Sequence, residues 1–131
     1  MTSGPAALRL FIEGKWHDGG GDSILSHNPA RPDVVVAEGS SGTVGELGNA
    51  VDAARAAQGG WAATPLHQRG AVLAAAADVI DRNAEAWGLE LTTEEGKTLA
   101  EGIGEVRRAA QILRYYGAEG DRPAGEIFSS P

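Results

Sequence analysis

The spacing of apolar positions along the chain changes once, near residue 43. Before that point the period is two. In LRLFIEGKW, Leu8, Leu10 and Ile12 fall on one face and Arg9, Phe11 and Glu13 on the other, the alternation of a strand with one covered side. Glu13-Gly14 supplies a tight turn into Lys15-Trp16-His17. The glycine-rich DGGGD that follows reads as a surface hairpin loop. A short strand in SILSHN closes at Asn28-Pro29, Pro32-Asp33 makes a further turn, and VVVAEG is a strand of mostly β-branched residues.

From Thr43 onward the period becomes helical. Thr43 and Glu46 form a capping box, Leu47, Val51 and Ala54 share a stripe, and Gly59-Gly60 stops the run. Thr64 caps the next helix with Pro65 at its first position, and Leu66, Leu73, Ala77 and Ile80 line up along it. Asn83 caps a third helix bearing Trp87 and Leu91. Gly96 ends that helix in the left-handed conformation, and Thr98 with Glu101 opens a fourth carrying Leu99, Ile103, Val106, Ala110 and Leu113. The predicted organisation is a flexible N-terminus at 1–7, strands within 8–38, and helices at about 43–58, 65–82, 84–95 and 98–117. This is an α/β arrangement: an N-terminal β-hairpin and short strands, then four amphipathic helices.

Composition modifies this picture in three ways. Glycine makes up 19 of 131 residues, several of them (Gly45, Gly48, Gly88, Gly102, Gly104) inside predicted helices. Each costs about 1 kcal/mol relative to alanine there, so the helices must lean on tertiary packing. The net charge of −7 argues against nucleic acid or an anionic membrane as partner. No cysteine is present, which excludes disulfides, a thiolate nucleophile and zinc–thiolate sites. The start lacks a basic segment followed by an apolar run, and no apolar stretch approaches the length of a spanning helix, so the expected location is the cytoplasm.

The candidate chemistry fails in turn. Gly96-Lys97-Thr98 matches the end of a nucleotide-phosphate loop, but Leu91 stands where that loop needs its first glycine, and Glu94 and Glu95 would repel phosphate. His17, His27 and His67 are scattered and give no metal spacing. Gly102-x-Gly104 has Arg107 in place of the third glycine of a dinucleotide fingerprint. Arg107, Arg108 and Arg114 read as a solvated helix face, and Glu94 and Glu95 as solvated carboxylates.

In order and spacing, LFIEGKWHD, NPARPDVVVAEGS, VDAARAAQGGWAATPLHQRGAVLAAAADVID and LTTEEGKTLAEGIGEVRRAAQILRYYGAEG resemble the N-terminal region of the NAD(P)-dependent aldehyde dehydrogenase superfamily. The resemblance covers roughly residues 8–127 and implies part of that family's cofactor-binding domain. In the family a cysteine attacks the aldehyde, hydride passes to NAD or NADP, and a glutamate activates water. Those groups lie outside the matched region, so the resemblance implies no catalytic residue, no bound cofactor and no activity for this stretch alone. Its implied partners are the rest of a dehydrogenase polypeptide or other subunits in a homo-oligomer, with no nucleic acid and no membrane. Two sites carry over by position: a monovalent-cation site at Ser26, His27 and Glu94, and a contact at the substrate entrance by Arg108. NPARPD and EEGKTLAEG are similar to members acting on semialdehydes of carboxylic acids, and Gly45, Gly48 and Gly102 stand where better helix formers are usual, which implies softer helices. The remaining alternative is a non-catalytic helical module that binds partner subunits through its apolar stripes.

Overall fold

The computed structural model describes residues 4–122 and Gly125. Five strands come first: β1 (Ala6–Leu8), β2 (Leu10–Ile12), β3 (Lys15–His17), β4 (Ser23–Asn28) and β5 (Arg31–Ser40). Four helices follow, α1 (Val44–Ala63), α2 (Leu66–Arg82), α3 (Ala84–Glu95) and α4 (Leu99–Gly117), and a 3₁₀ turn, Ala118–Asp121, trails the last.

The alternating run at the start is divided between two sheets. Ala6, Ala7 and Leu8 pair in parallel with Ala37, Glu38 and Gly39, placing β1 against β5 in a sheet of order β1-β5-β4. Ala6 and Ala7 therefore lie in a strand, inside the segment expected to be flexible. β2 and β3 form a separate antiparallel hairpin. Its turn puts Glu13 at φ 52° and Gly14 at φ 75°, the left-handed pair that matches the twist of a two-residue hairpin. Phe11 faces Trp16 across it, ring centroids 4.8 Å apart.

Two expected turns are corrected. DGGGD does not close a hairpin, because β3 and β4 belong to different sheets. It runs instead to the start of α1, where the Gly21 amide donates to the Ser41 carbonyl at 2.9 Å and the Gly20 amide to the Glu46 carboxylate at 3.1 Å. Pro32 and Asp33 lie within β5, not in a turn. The Asn28 side chain closes the reversal earlier by accepting the Ala30 amide at 2.9 Å. Proline is tolerated at Pro32 because β5 acquires its β1 neighbour only at Ala37.

The helix ends follow local chemistry, with exceptions. Both capping boxes form, Thr43 with Glu46 and Thr98 with Glu101. Gly96 adopts φ 76° after α3. Gly59-Gly60 does not stop α1, which continues to Ala63. Glycine taxes a helix without ending it, whereas Pro65 forces the preceding Thr64 out of the helical region. Thr64 closes α1, giving its hydroxyl proton to the Gly60 carbonyl at 3.0 Å, and Pro65 takes the N-cap position of α2. Asn83 gives its side-chain amide to the Val79 carbonyl of α2 at 2.8 Å and makes no side-chain cap for α3.

Helices α2 and α3 pack against α4. At Gly88 an added Cβ would lie 2.6 Å from Ile103 Cγ1 and 2.7 Å from its amide nitrogen. At Gly70 it would lie 2.3 Å from the Gly117 carbonyl oxygen. These glycines permit close backbone approach and are not defects. The buried apolar residues are all alanines, Ala37, Ala77, Ala84 and Ala110, and no large side chain is fully buried among the described residues. Ile103, Val106 and Leu113 are half-buried beside Ala110, as the α4 stripe predicted, while Leu99 at its start is exposed. On α1 the predicted stripe is turned outward. Leu47, Val51 and Ala54 are exposed, while Glu46, Ala50 and Ala53 are the half-covered positions, on the side of the β2–β3 hairpin.

Candidate functional site

β4 runs past the end of α3, and this brings Ser26 to Glu94. The Ser26 hydroxyl donates to Glu94 Oε1 at 3.2 Å. The strand is bulged between Ser26 and His27 and again between His27 and Asn28. A bulge re-aims the side chains that follow it. His27 accordingly turns to β5, its Nδ1 lying 2.9 Å from the Pro32 carbonyl oxygen. The Ser26–Glu94 pair offers one hydroxyl and one carboxylate beside bulged backbone, an oxygen donor set of the kind hard cations prefer. No group of three His, Cys, Asp or Glu side chains able to hold a metal occurs among the described residues.

The Gly96-Lys97-Thr98 triplet is spent on structure. Lys97 Nζ sits between Glu105, at 2.6 Å, and Glu95, and its side chain is only 18% exposed. These contacts, with Glu105 the larger, raise its pKa above the ordinary lysine value. The Thr98 hydroxyl and amide both donate to the Glu101 carboxylate, at 2.8 and 2.9 Å, and hold that acid below the usual 4.5. Neither the lysine nor the threonine is presented to a phosphate.

Arg108 occupies the exposed face of α4. With Gln111, Ile112, Tyr115 and Tyr116 it lines an open cleft of about 540 Å³. Its Nη1 donates to Gln111 Oε1 at 3.3 Å. The two tyrosines meet edge to face, centroids 5.3 Å apart. The neighbouring arginines are committed elsewhere: Arg107 lies 3.5 Å from Glu85 of α3, and Arg114 ties α4 to α2 through Asp81 and, at 2.8 Å, Asp78. Those aspartates, Asp78 foremost, raise the Arg114 pKa. Arg107, Arg108 and Arg114 are all exposed, as a solvated helix face requires, and Arg107 and Arg114 also carry ion pairs across to neighbouring helices. Arg108 makes no ion pair among the described residues. The companions of Arg108 were missed in the sequence, although 108, 111, 112, 115 and 116 recur at i, i+3, i+4, i+7 and i+8, the spacing of one helix face.

Known proteins place this arrangement. The family described as "Aldehyde dehydrogenase family" matches residues 16–131. The chain is similar to a 2,5-dioxopentanoate dehydrogenase of Saccharolobus solfataricus, 34% identical over 116 residues, covering 88% of this chain and 24% of that protein. It is also similar to an alpha-ketoglutaric semialdehyde dehydrogenase of Bacillus subtilis, 36% identical over 121 residues, covering 92% of this chain and 25% of that protein. Among solved structures, a NAD-dependent benzaldehyde dehydrogenase from Corynebacterium glutamicum superposes with a TM-score of 0.84 at 30% identity, covering 94% of this chain and 27% of that one. A NADP-dependent glyceraldehyde-3-phosphate dehydrogenase from Bacillus halodurans does so with a TM-score of 0.86 at 30% identity, covering 95% and 26%. The chain spans about a quarter of the length of the curated relatives it matches. It belongs to the aldehyde dehydrogenase family, whose N-terminal region it matches.

Proposed function

We propose that these residues serve as the N-terminal portion of an NAD(P)-dependent aldehyde dehydrogenase that oxidises the semialdehyde of a carboxylic acid. The observation that carries the substrate class is the guanidinium of Arg108, without an acidic partner among the described residues, beside two tyrosines and an isoleucine. A planar cation of this kind takes a carboxylate in two parallel hydrogen bonds. The apolar and aromatic neighbours suit the carbon chain that separates the carboxylate from the aldehyde. The names of the two curated relatives, both dehydrogenases of oxo-acid aldehydes, support the same class.

In this reading the chain binds and orients; it does not transform. It has no cysteine to form a thiohemiacetal. NAD or NADP would accept the hydride on residues outside this chain, which binds no cofactor and is inactive alone. Its partners are the remaining dehydrogenase polypeptide and further subunits, and it works in the cytoplasm. Ser26 and Glu94, with the backbone of Ser26 and His27, would hold a monovalent cation that ties β4 to α3. The match to the dehydrogenase family over residues 16–131 favours this reading over a free-standing interaction module.

The test is Arg108→Ala in the complete dehydrogenase, assayed with an acidic semialdehyde and a neutral aldehyde of equal length. Losing a hydrogen bond to a charged group removes about 1.5–3 kcal/mol, so KM for the acidic substrate should rise roughly 10- to 100-fold. KM for the neutral one should stay put. Equal changes for both would sink the substrate class.

A further inference from the structure

We infer that Gln111 is a positioning and specificity-determining residue, which holds the Arg108 guanidinium over the cleft and adds N–H donors to its mouth for a carboxylate. The inference rests on the role proposed above for Arg108. Guanidinium can only donate, so the Gln111 atom 3.3 Å from Arg108 Nη1 must be its amide oxygen. The two N–H donors of that amide are then left for a ligand. With the remaining Arg108 donors they form a set of N–H groups suited to an anion.

Three features of the surroundings support this assignment. Among the described residues none lining the cleft is acidic: the others are Ile112, Tyr115 and Tyr116. Gln111 stands one turn beyond Arg108 on α4, where the i, i+3 spacing keeps the pair together. One turn further, Arg114 locks the helix to Asp78 and Asp81 of α2, so the pair is presented from a fixed support. An arginine without such a neighbour spreads over many rotamers and loses more freedom on binding.

The experiment compares Gln111→Met, Gln111→Glu and Arg108→Ala in the complete dehydrogenase, reading KM and kcat for matched acidic and neutral aldehydes. Met keeps the bulk and removes the hydrogen bond. The expected result is a KM ratio, acidic over neutral, that rises about tenfold or more in the Met variant, the range for one hydrogen bond to a charged group, with kcat for the acidic substrate unchanged. Glu should raise the ratio further, because its carboxylate occupies the guanidinium itself. A Met variant with the parent ratio, or a Glu variant that binds the acidic substrate as well as the parent, overturns the role of Gln111. If Arg108→Ala shifts the ratio and neither Gln111 variant does, the acid-binding role of Arg108 survives and this inference alone fails. If none of the three shifts it, the substrate class fails as well.

Discussion

At Gly102 a methyl group would stand 2.5 Å from the Gly88 carbonyl oxygen and 2.6 Å from Thr92 Oγ1. Two residues further on, at Gly104, it would meet nothing within 4 Å. The two glycines look alike in the sequence and differ completely in the fold. Gly102→Ala must push α4 off α3, and overpacking of this kind costs about 1–3 kcal/mol. Gly104→Ala relieves a conformational cost without a clash and should stabilise by up to about 1 kcal/mol. Urea titrations of the two variants in the same background should therefore move in opposite directions; a shared direction would contradict the crossing. The softness implied by glycine at Gly102 is accordingly not softness but contact, whereas at Gly48 and Gly104 nothing in the fold requires glycine.

Element boundaries were legible where reciprocal side-chain caps or a left-handed glycine decide them, and misread at Gly59-Gly60, Thr64 and Asn83. The capping boxes at Thr43 and Thr98 and the left-handed Gly96 depend on side chains within three or four positions, and they formed as the letters indicate. The α1 stripe was not legible. Leu47 and Val51 have helical spacing, yet the β2–β3 hairpin half-covers Glu46, Ala50 and Ala53 and leaves Leu47, at the edge of that contact, and Val51 exposed. Periodicity marks an apolar face but not what covers it. The caps carry a pH dependence with a definite sign. Glu46 is held below the ordinary carboxylate value by the Thr43 amide first, then by the Thr43 hydroxyl and the Gly20 amide, and Glu101 by the Thr98 hydroxyl and then its amide. A lowered folded-state pKa contributes stability that is complete above the unfolded value and lost as pH falls through the folded one. Helicity should therefore hold above about pH 5 and decline as pH drops below the ordinary 4.5. Circular dichroism of the double variant Glu46→Gln, Glu101→Gln should show lower helicity at neutral pH and a shallower decline in acid. An identical acid profile would remove the caps as its cause.

On the scale of the molecule, the fold class and the family were visible in the order of segments, while the long-range contacts were not. The parallel pairing of β1 with β5 joins Ala6 to Ala37, and the bridge from Arg114 to Asp78 spans 36 positions; no local signal announces either. The site was legible in the same uneven way. Ser26, Glu94 and Arg108 came from resemblance, and the Ser26–Glu94 hydrogen bond emerged only when β4 was laid beside α3. The uncovered apolar surface sets the behaviour of the chain alone. Phe11, Trp16, Leu47 and Tyr115 are each more than half exposed. The isolated polypeptide should bind a hydrophobic dye and lose its structure over a broad range of urea; a sharp transition without dye binding would show that it is self-sufficient.

The alanine-lined centre has a calorimetric consequence. Heat capacity on unfolding grows with the apolar area brought into water, and Ala37, Ala77, Ala84 and Ala110 contribute little of it. The isolated chain should give a small heat-capacity increment, and its stability should vary only gently with temperature. Leu47, Val51 and Trp61 are left exposed, and any partner that covered them would produce a negative heat-capacity change on binding that titration calorimetry reads directly.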